Sequence, residues 1–421
     1  MKSIGMVLSL MMFSVTMYAG DPAPIGKNLS KVYPTIGDNE PTVVLVYLKD
    51  KGTHQRSVMD APALLSKESI ARRLRFRSPE NVIDESDYPL EHSYVQTIAG
   101  QVINVRNELK WFNAVSVTAT KTQIEALRLL PFVKEIDLVN RWKKTQNETT
   151  QPMLKPSEAP PQPNGITTLN YGPSFAQDNL ENIPAVHNLG IFGQGVTICM
   201  MDNGVRNPFH QVFDSMHIIA THDFVDHKVS VIPNDANPGF GSHGVWTLSI
   251  IGGYRPGSLI GPAFKSNFLL ARTENDSSET PIEEDNWVEA LQWADSIGVD
   301  VTSTSLGYLT FDPPYTSLTT ADMNGHTAII SIAAAHGAAL GIVVVNAAGN
   351  DGNSNGVTNT LIAPADADSI ITAGAVDVNG TLAGFSSGGP TTDIPARIKP
   401  DVVAVGVNNE VASSTDTVSY G

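Results

Sequence analysis

The chain has 421 residues, 41% hydrophobic and 17% charged, room for about two or three domains with cores of their own, which excludes a wholly disordered or fibrous chain. Its 43 acidic and 27 basic side chains leave a net charge of −16, a field that repels phosphate backbones and anionic membrane surfaces and argues against nucleic acid as a partner. The charge is uneven: residues 21–150 hold 18 Lys or Arg and 16 Asp or Glu, against 8 and 27 in residues 151–421.

Residues 1–20 carry one charge, Lys2, followed by an apolar run over 4–17. This pattern predicts a secretory signal peptide cut near Ala19 or Gly20, with no membrane insertion after cleavage, because the run is shorter than a spanning helix requires. A secreted chain whose one cysteine is Cys199 has no internal disulfide and draws its stability from its core. Cys199 itself sits in an apolar run and reads as a small buried side chain.

Residues 21–144 form the first folded unit. Apolar residues 43–48 and 114–118 read as strands, and 132–139 alternates as a half-buried strand does. Between the last two, Thr122 and Glu125 have capping-box spacing, Ile124, Leu127 and Leu130 share a helical face, and Pro131 ends the helix. Residues 65–77 are helix-prone, with Arg72, Arg73, Arg75 and Arg77 expected on a solvated face. Residues 145–169 contain a run of five prolines among Gln, Ser, Thr and Glu, which marks a linker open to proteolysis.

From 170 to 421 the pattern changes to short apolar strands alternating with helices. Strands are expected over 196–201, 267–272, 299–304, 342–346 and 370–376, and helices over 243–251, 284–297 and 328–340. Alternating β and α units predict an α/β domain with a parallel sheet flanked by helices, whose chemistry lies at the carboxyl ends of its strands. Three places stand out there: Asp202 in Met-Asp-Asn-Gly, His243 in Gly-Ser-His-Gly, and Asn350 in Asn-Ala-Ala-Gly-Asn. A carboxylate, an imidazole and an amide are the parts needed to orient a general base and hold an oxyanion. Singly, each also fits turn chemistry or a structural histidine.

Taken in order, these motifs resemble the subtilisin-like serine proteases, the subtilase family. Gly193-Gln194-Gly195-Val196-Thr197-Ile198 leading to Asp202-Asn203-Gly204 is similar to the family's Asp motif, with Asn203 where Ser or Thr is usual. Ser242-His243-Gly244 before Ile251-Gly252-Gly253 is similar to its His motif, with Val245-Trp246 in place of Thr-His. Ser305, Leu306 and Gly307 resemble the strand that pairs with substrate, Ala347, Ala348, Gly349 and Asn350 the oxyanion motif, and Lys399-Pro400-Asp401 the segment before the nucleophile.

The resemblance implies a secreted serine endopeptidase acting on polypeptides. His243 is then the general base, Asp202 its partner and Asn350 the oxyanion donor. It also implies that residues 21–144 are the chain's own propeptide, a small α+β ferredoxin-like inhibitor, cut between Asn140 and Asn170. The family's nucleophilic serine falls two positions past Gly421, so the chain as written is expected to be inactive, as a truncated protease. Ser413, Ser414 and Ser419 precede no helix and do not substitute for it. The alternatives are a catalytically dead pseudoprotease or peptide-binding protein, and an inhibitor acting in trans.

No cofactor is expected. Calcium, frequent in the family, has a weak candidate in residues 351–356, where Ile362 replaces the Glu that an EF-hand requires, and Glu283-Glu284-Asp285 reads as the charged first turn of a helix. His222 and His227 lack zinc spacing, and Gly193-x-Gly195 precedes its strand, unlike a dinucleotide-binding loop. Trp246 reads as a core residue of its helix.

Overall fold

The computed structural model describes residues 21–52, 61–138, 168–234, 240–312, 315, 317–352 and 359–421. The expected signal peptide, most of the linker with its processing site, and most of the 351–356 loop lie outside these residues.

The N-terminal domain contains α1 (Lys27–Val32), β1 (Thr42–Leu48), α2 (Ala61–Leu64), α3 (Lys67–Arg73), α4 (His92–Ala99), β2 (Asn104–Leu109), β3 (Ala114–Ala119), α5 (Lys121–Arg128) and β4 (Val133–Leu138). Its four strands form an antiparallel sheet in the order β2-β3-β1-β4. With α4 and α5 between them, this is the ferredoxin-like arrangement. Ile124 and Leu127 of α5 are buried as their spacing requires. The capping box is displaced by two residues from the expected Thr122 and Glu125: the Thr120 hydroxyl accepts from Gln123 N and the Gln123 side chain from Thr120 N. Either pair has the right spacing, and the backbone turn after β3 selects the earlier one.

The C-terminal domain adds α6 (Phe175–Leu180), α7 (Ile183–Asn188), β5 (Thr197–Asp202), β6 (His217–Asp223), α8 (Ser242–Gly252), β7 (Tyr254–Arg255), β8 (Leu259–Ile260), β9 (Asn267–Arg272), α9 (Ile282–Ile297), β10 (Val301–Thr304), α10 (Ile329–Ala339), β11 (Val343–Ala347), β12 (Ile371–Val376) and β13 (Val402–Val405). Seven strands make one parallel sheet in the order β13-β12-β11-β10-β5-β9-β6. All six residues of β5 are buried, as a strand covered on both faces demands. Cys199 is among them, and burial pushes its thiol up. The partly exposed strands β6 and β13 carry no continuous buried run and were not expected from the sequence.

The two domains meet along α9. Its apolar side, with Trp287, Val288, Leu291 and Ala294, fills the C-terminal core. Its polar side receives the N-terminal domain over its whole length. The Ser116 hydroxyl donates to Asp285 at 2.5 Å, and the Asn107 amide to Asn286 at 3.1 Å and Glu289 at 2.7 Å. The Gln292 side chain caps the Lys110–Phe112 turn, accepting from Trp111 N at 2.8 Å and donating to Glu108 O at 3.3 Å. At the helix end, Arg72 and Arg73 both reach Asp295, and Arg73 makes a second, bidentate pair with Asp87 at 2.7 and 2.8 Å.

This overturns one expectation. Arg72 and Arg73 are not on a solvated face: they are 1% and 0% exposed, and only Arg75 keeps the expected exposure. Arg72 also donates to the carbonyls of Val299 and Leu340, so α3 closes over the start of β10 and the end of α10. Gly298, at φ +103, leaves room for this, since a Cβ there would stand 2.4 Å from that of Glu68. Glu283, Glu284 and Asp285 do form the charged first turn of α9, as expected, and all three are buried. Burial raises the Asp285 carboxyl to about 7 against the opposing pull of the Ser116 hydrogen bond and the Arg106 charge, and holds Glu283 and Glu284 well above the carboxylate range.

Replacing Asp295 by Ala leaves the buried Arg72 charge with only the Ser69 hydroxyl and backbone carbonyls as partners. It is expected to destabilise the protein by about 3–5 kcal/mol, measured by denaturant unfolding. Arg75→Ala, at an exposed 3.9 Å pair, is expected to change it by less than about 0.5 kcal/mol. A second prediction follows from Asp285. Its folded value lies above the ordinary one, so its contribution is complete below about pH 4 and is lost as pH rises through 7. Unfolding free energy should therefore fall by on the order of 2 kcal/mol between pH 5 and pH 8, and Asp285→Asn should flatten that slope.

Candidate active site

Asp202 is the last residue of β5, at the carboxyl edge of the sheet, and His243 lies in the first turn of α8. His243 Nδ1 is 2.8 Å from Asp202 Oδ1. With Nδ1–H donating to that carboxylate, Nε2 is the ring nitrogen left to accept a proton. The pair is unequal in exposure: the imidazole side chain is 37% exposed and the carboxylate 1%. A base must reach its substrate, whereas a carboxylate that fixes a tautomer acts most strongly away from water.

Three features set this geometry. The Asp202 carboxylate accepts from Asn203 N at 2.8 Å on Oδ1 and from the Thr247 hydroxyl at 3.0 Å on Oδ2. The start of α8 rests directly on the turn after β5, where a Cβ on Gly244 would lie 1.9 Å from Gly204 O. Asn203 then joins the two segments, accepting from Gly244 N at 3.0 Å and donating to Asp276 at 2.7 Å, while Asp276 accepts from Gly241 N at 3.2 Å. The departure from Ser or Thr at position 203 thus supplies an amide that spans both partners. Asp276 and Thr247 carry no sequence signal of their own, because each acts through a contact made only in three dimensions.

The remaining expected residues lie at the same edge of the sheet. Asn350 is exposed just past β11, which stands two strands from β5 in the order β11-β10-β5. Ala347 ends β11, Ala348 N donates to Ala373 O at 2.9 Å, and Gly349, at φ +115, accepts from Ser387 N through its carbonyl. Ser305, Leu306 and Gly307 follow β10. Ser305 is exposed, and Leu306 O accepts from the buried Asn346 amide at 3.0 Å. Trp246 is not a core residue: it is 39% exposed and meets His243 edge-on, with ring centroids 6.3 Å apart. The buried face of α8 runs through Val245, Leu248, Ser249 and Gly252, and Trp246 lies off it.

Ser413 and Ser419 are engaged in a turn. The Ser413 hydroxyl accepts from Thr415 N and Asp416 N, Ser419 N donates to Asp416, and Ser419 O faces His210 at 2.9 Å. Among the described residues no three His, Cys, Asp or Glu side chains are arranged to hold a metal ion.

Residues 193–421 match the subtilase family, and residues 43–153 match the peptidase S8 propeptide domain of Bacteroidota. The chain belongs to the subtilase family of serine peptidases, and its N-terminal domain is a propeptide domain of that family. Over 223 residues it is 28% identical to the serine protease AprX of Bacillus subtilis, covering 51% of this chain and 47% of that protein. It is 31% identical to subtilisin of Bacillus pumilus over 216 residues, 51% and 68% of the two chains. Against subtilisin E of Bacillus subtilis it is 29% identical over 217 residues, 51% and 49%. The chain thus spans about half the length of AprX and of subtilisin E.

Gly244→Ala is expected to push α8 off the β5 turn and to cost about 2 kcal/mol by overpacking, measured by denaturant unfolding, with loss of any activity that depends on His243.

Proposed function

We propose that the protein is a secreted serine endopeptidase, made as a zymogen, that hydrolyses polypeptides through Asp202, His243 and a serine that the family pattern places two positions past Gly421. The observation that carries this reading is the buried carboxylate bonded to a half-exposed imidazole at the carboxyl edge of the sheet. In this mechanism His243 Nε2 removes the serine proton as the oxygen attacks the scissile carbonyl, and Asp202 holds the ring's tautomer and stabilises the imidazolium. The Asn350 side chain donates to the tetrahedral oxyanion, a contact worth about 100- to 1,000-fold in rate. His243 then returns the proton to the leaving amine, and water completes hydrolysis of the acyl-enzyme.

Ser305, Leu306 and Gly307 pair with an extended substrate by strand addition. The propeptide domain, gripped along α9, keeps the enzyme latent until the linker is cut. Secretion is supported by the charge and apolar pattern of residues 1–20; among the described residues no helix is long and apolar enough to cross a membrane.

The test is hydrolysis of a peptide substrate by the complete, processed gene product. Asp202→Asn is expected to lower kcat by about 10,000-fold, with the fold retained. Binding of peptides without hydrolysis by the unmutated protein would establish the peptide-binding reading in its place.

A further inference from the structure

The two oxygens of Asp202 are not equivalent. Oδ1 accepts from both Asn203 N and His243 Nδ1 at 2.8 Å. Oδ2 has one hydrogen-bond donor among the described residues, the Thr247 hydroxyl at 3.0 Å. Asp202 is 0% exposed, and a buried carboxylate oxygen without a donor carries a large desolvation cost. Thr247 stands four residues after His243 in α8, on the same helical face, so one rigid element carries both side chains that bond to the carboxylate.

Thr247 Oγ1 also lies 3.4 Å from Gly244 O and 3.4 Å from Met200 Sδ. A hydroxyl has a single proton, and the shorter, charge-assisted bond to the carboxylate claims it over a neutral carbonyl or a thioether. Branching at Cβ restricts the Thr247 side chain to few rotamers, so the hydroxyl is held in place without a further partner.

We propose that Thr247 is a positioning residue of the catalytic pair: by holding Oδ2, it fixes the plane of the Asp202 carboxylate so that Oδ1 stays directed at His243 Nδ1. Without it the carboxylate can turn about its last torsion, and both the tautomer and the direction of Nε2 lose their restraint. This inference rests on the reading of Asp202 and His243 as base and partner, and it adds a side chain that acts through Asp202 without touching substrate.

The test uses the low-field proton resonance of His243 Hδ1 in the protein with its propeptide attached, identified by its loss in His243→Ala. Thr247→Val keeps the shape of the side chain and removes the hydroxyl, whereas Thr247→Ser keeps the hydroxyl. The resonance should move or broaden in Thr247→Val and stay in place in Thr247→Ser, with both proteins showing unchanged circular dichroism. On processed enzyme, Thr247→Val should lower kcat about tenfold at unchanged KM, with Thr247→Ser restoring it. A Thr247→Val spectrum superimposable on the parent's, or a Thr247→Ser protein that behaves like Thr247→Val, overturns the proposal. A complete gene product that hydrolyses no peptide would count against the peptidase reading, and the resonance comparison would still decide the role of Thr247.

Discussion

Helix α9 has to bury both of its faces, and the protein's organisation follows from that constraint. One face is apolar and belongs to the core between helices and sheet. The other carries Asp285, Asn286, Glu289, Gln292 and Asp295, groups that a core rejects unless each finds a partner. The propeptide domain supplies those partners in register: Ser116, Asn107, the 108–111 turn and the paired arginines of α3. An interface of this kind is specific before it is strong. Its charged groups gain little over an apolar surface, but a mismatched one is heavily penalised, which restricts α9 to a single docking geometry.

The same helix reaches the candidate site. It begins beside the carboxyl edge of the sheet, where Asp202 and the loop after β11 lie, and it ends at the opposite edge, just before β10. The propeptide domain therefore holds the C-terminal domain from one edge of the sheet to the other. At the site itself the economy is different: β5 buries the carboxylate, α8 leaves the imidazole half-exposed, and the contact between Gly244 and Gly204 sets the distance between them.

Much of this was legible in the sequence. The strands β5, β9, β11 and β12, the helices between them and the pair Asp202 and His243 all stand out, because each depends on local periodicity or on a motif at a strand end. The N-terminal α+β domain was also readable from β1, β3, β4 and α5, its ferredoxin-like form being implied by the family resemblance. What escaped the sequence depends on contacts between distant residues. Arg72 and Arg73 have the local pattern of a solvated helix, and their partner Asp295 is more than two hundred residues away. Glu283, Glu284 and Asp285 are legible as the charged first turn of a helix, but their burial depends on contacts made only in three dimensions. Trp246 was misjudged for a related reason: its helix buries the face of Val245, Leu248, Ser249 and Gly252, and only packing decides that Trp246 lies off it. Asn203 stands out in the sequence only as a departure from Ser or Thr, and its bridging role required knowing where Asp276 and Gly244 come together.

On the proposed function, the buried carboxylate and half-exposed imidazole serve a serine nucleophile once the propeptide is removed. The most direct measurement is labelling of the complete, processed gene product with a fluorophosphonate, followed by mass-spectrometric mapping of the modified residue. The account predicts one modified serine on the C-terminal side of Lys399-Pro400-Asp401, with labelling lost in His243→Ala. Labelling of a serine that is indifferent to His243, or no labelling at all in folded and processed protein, would contradict it.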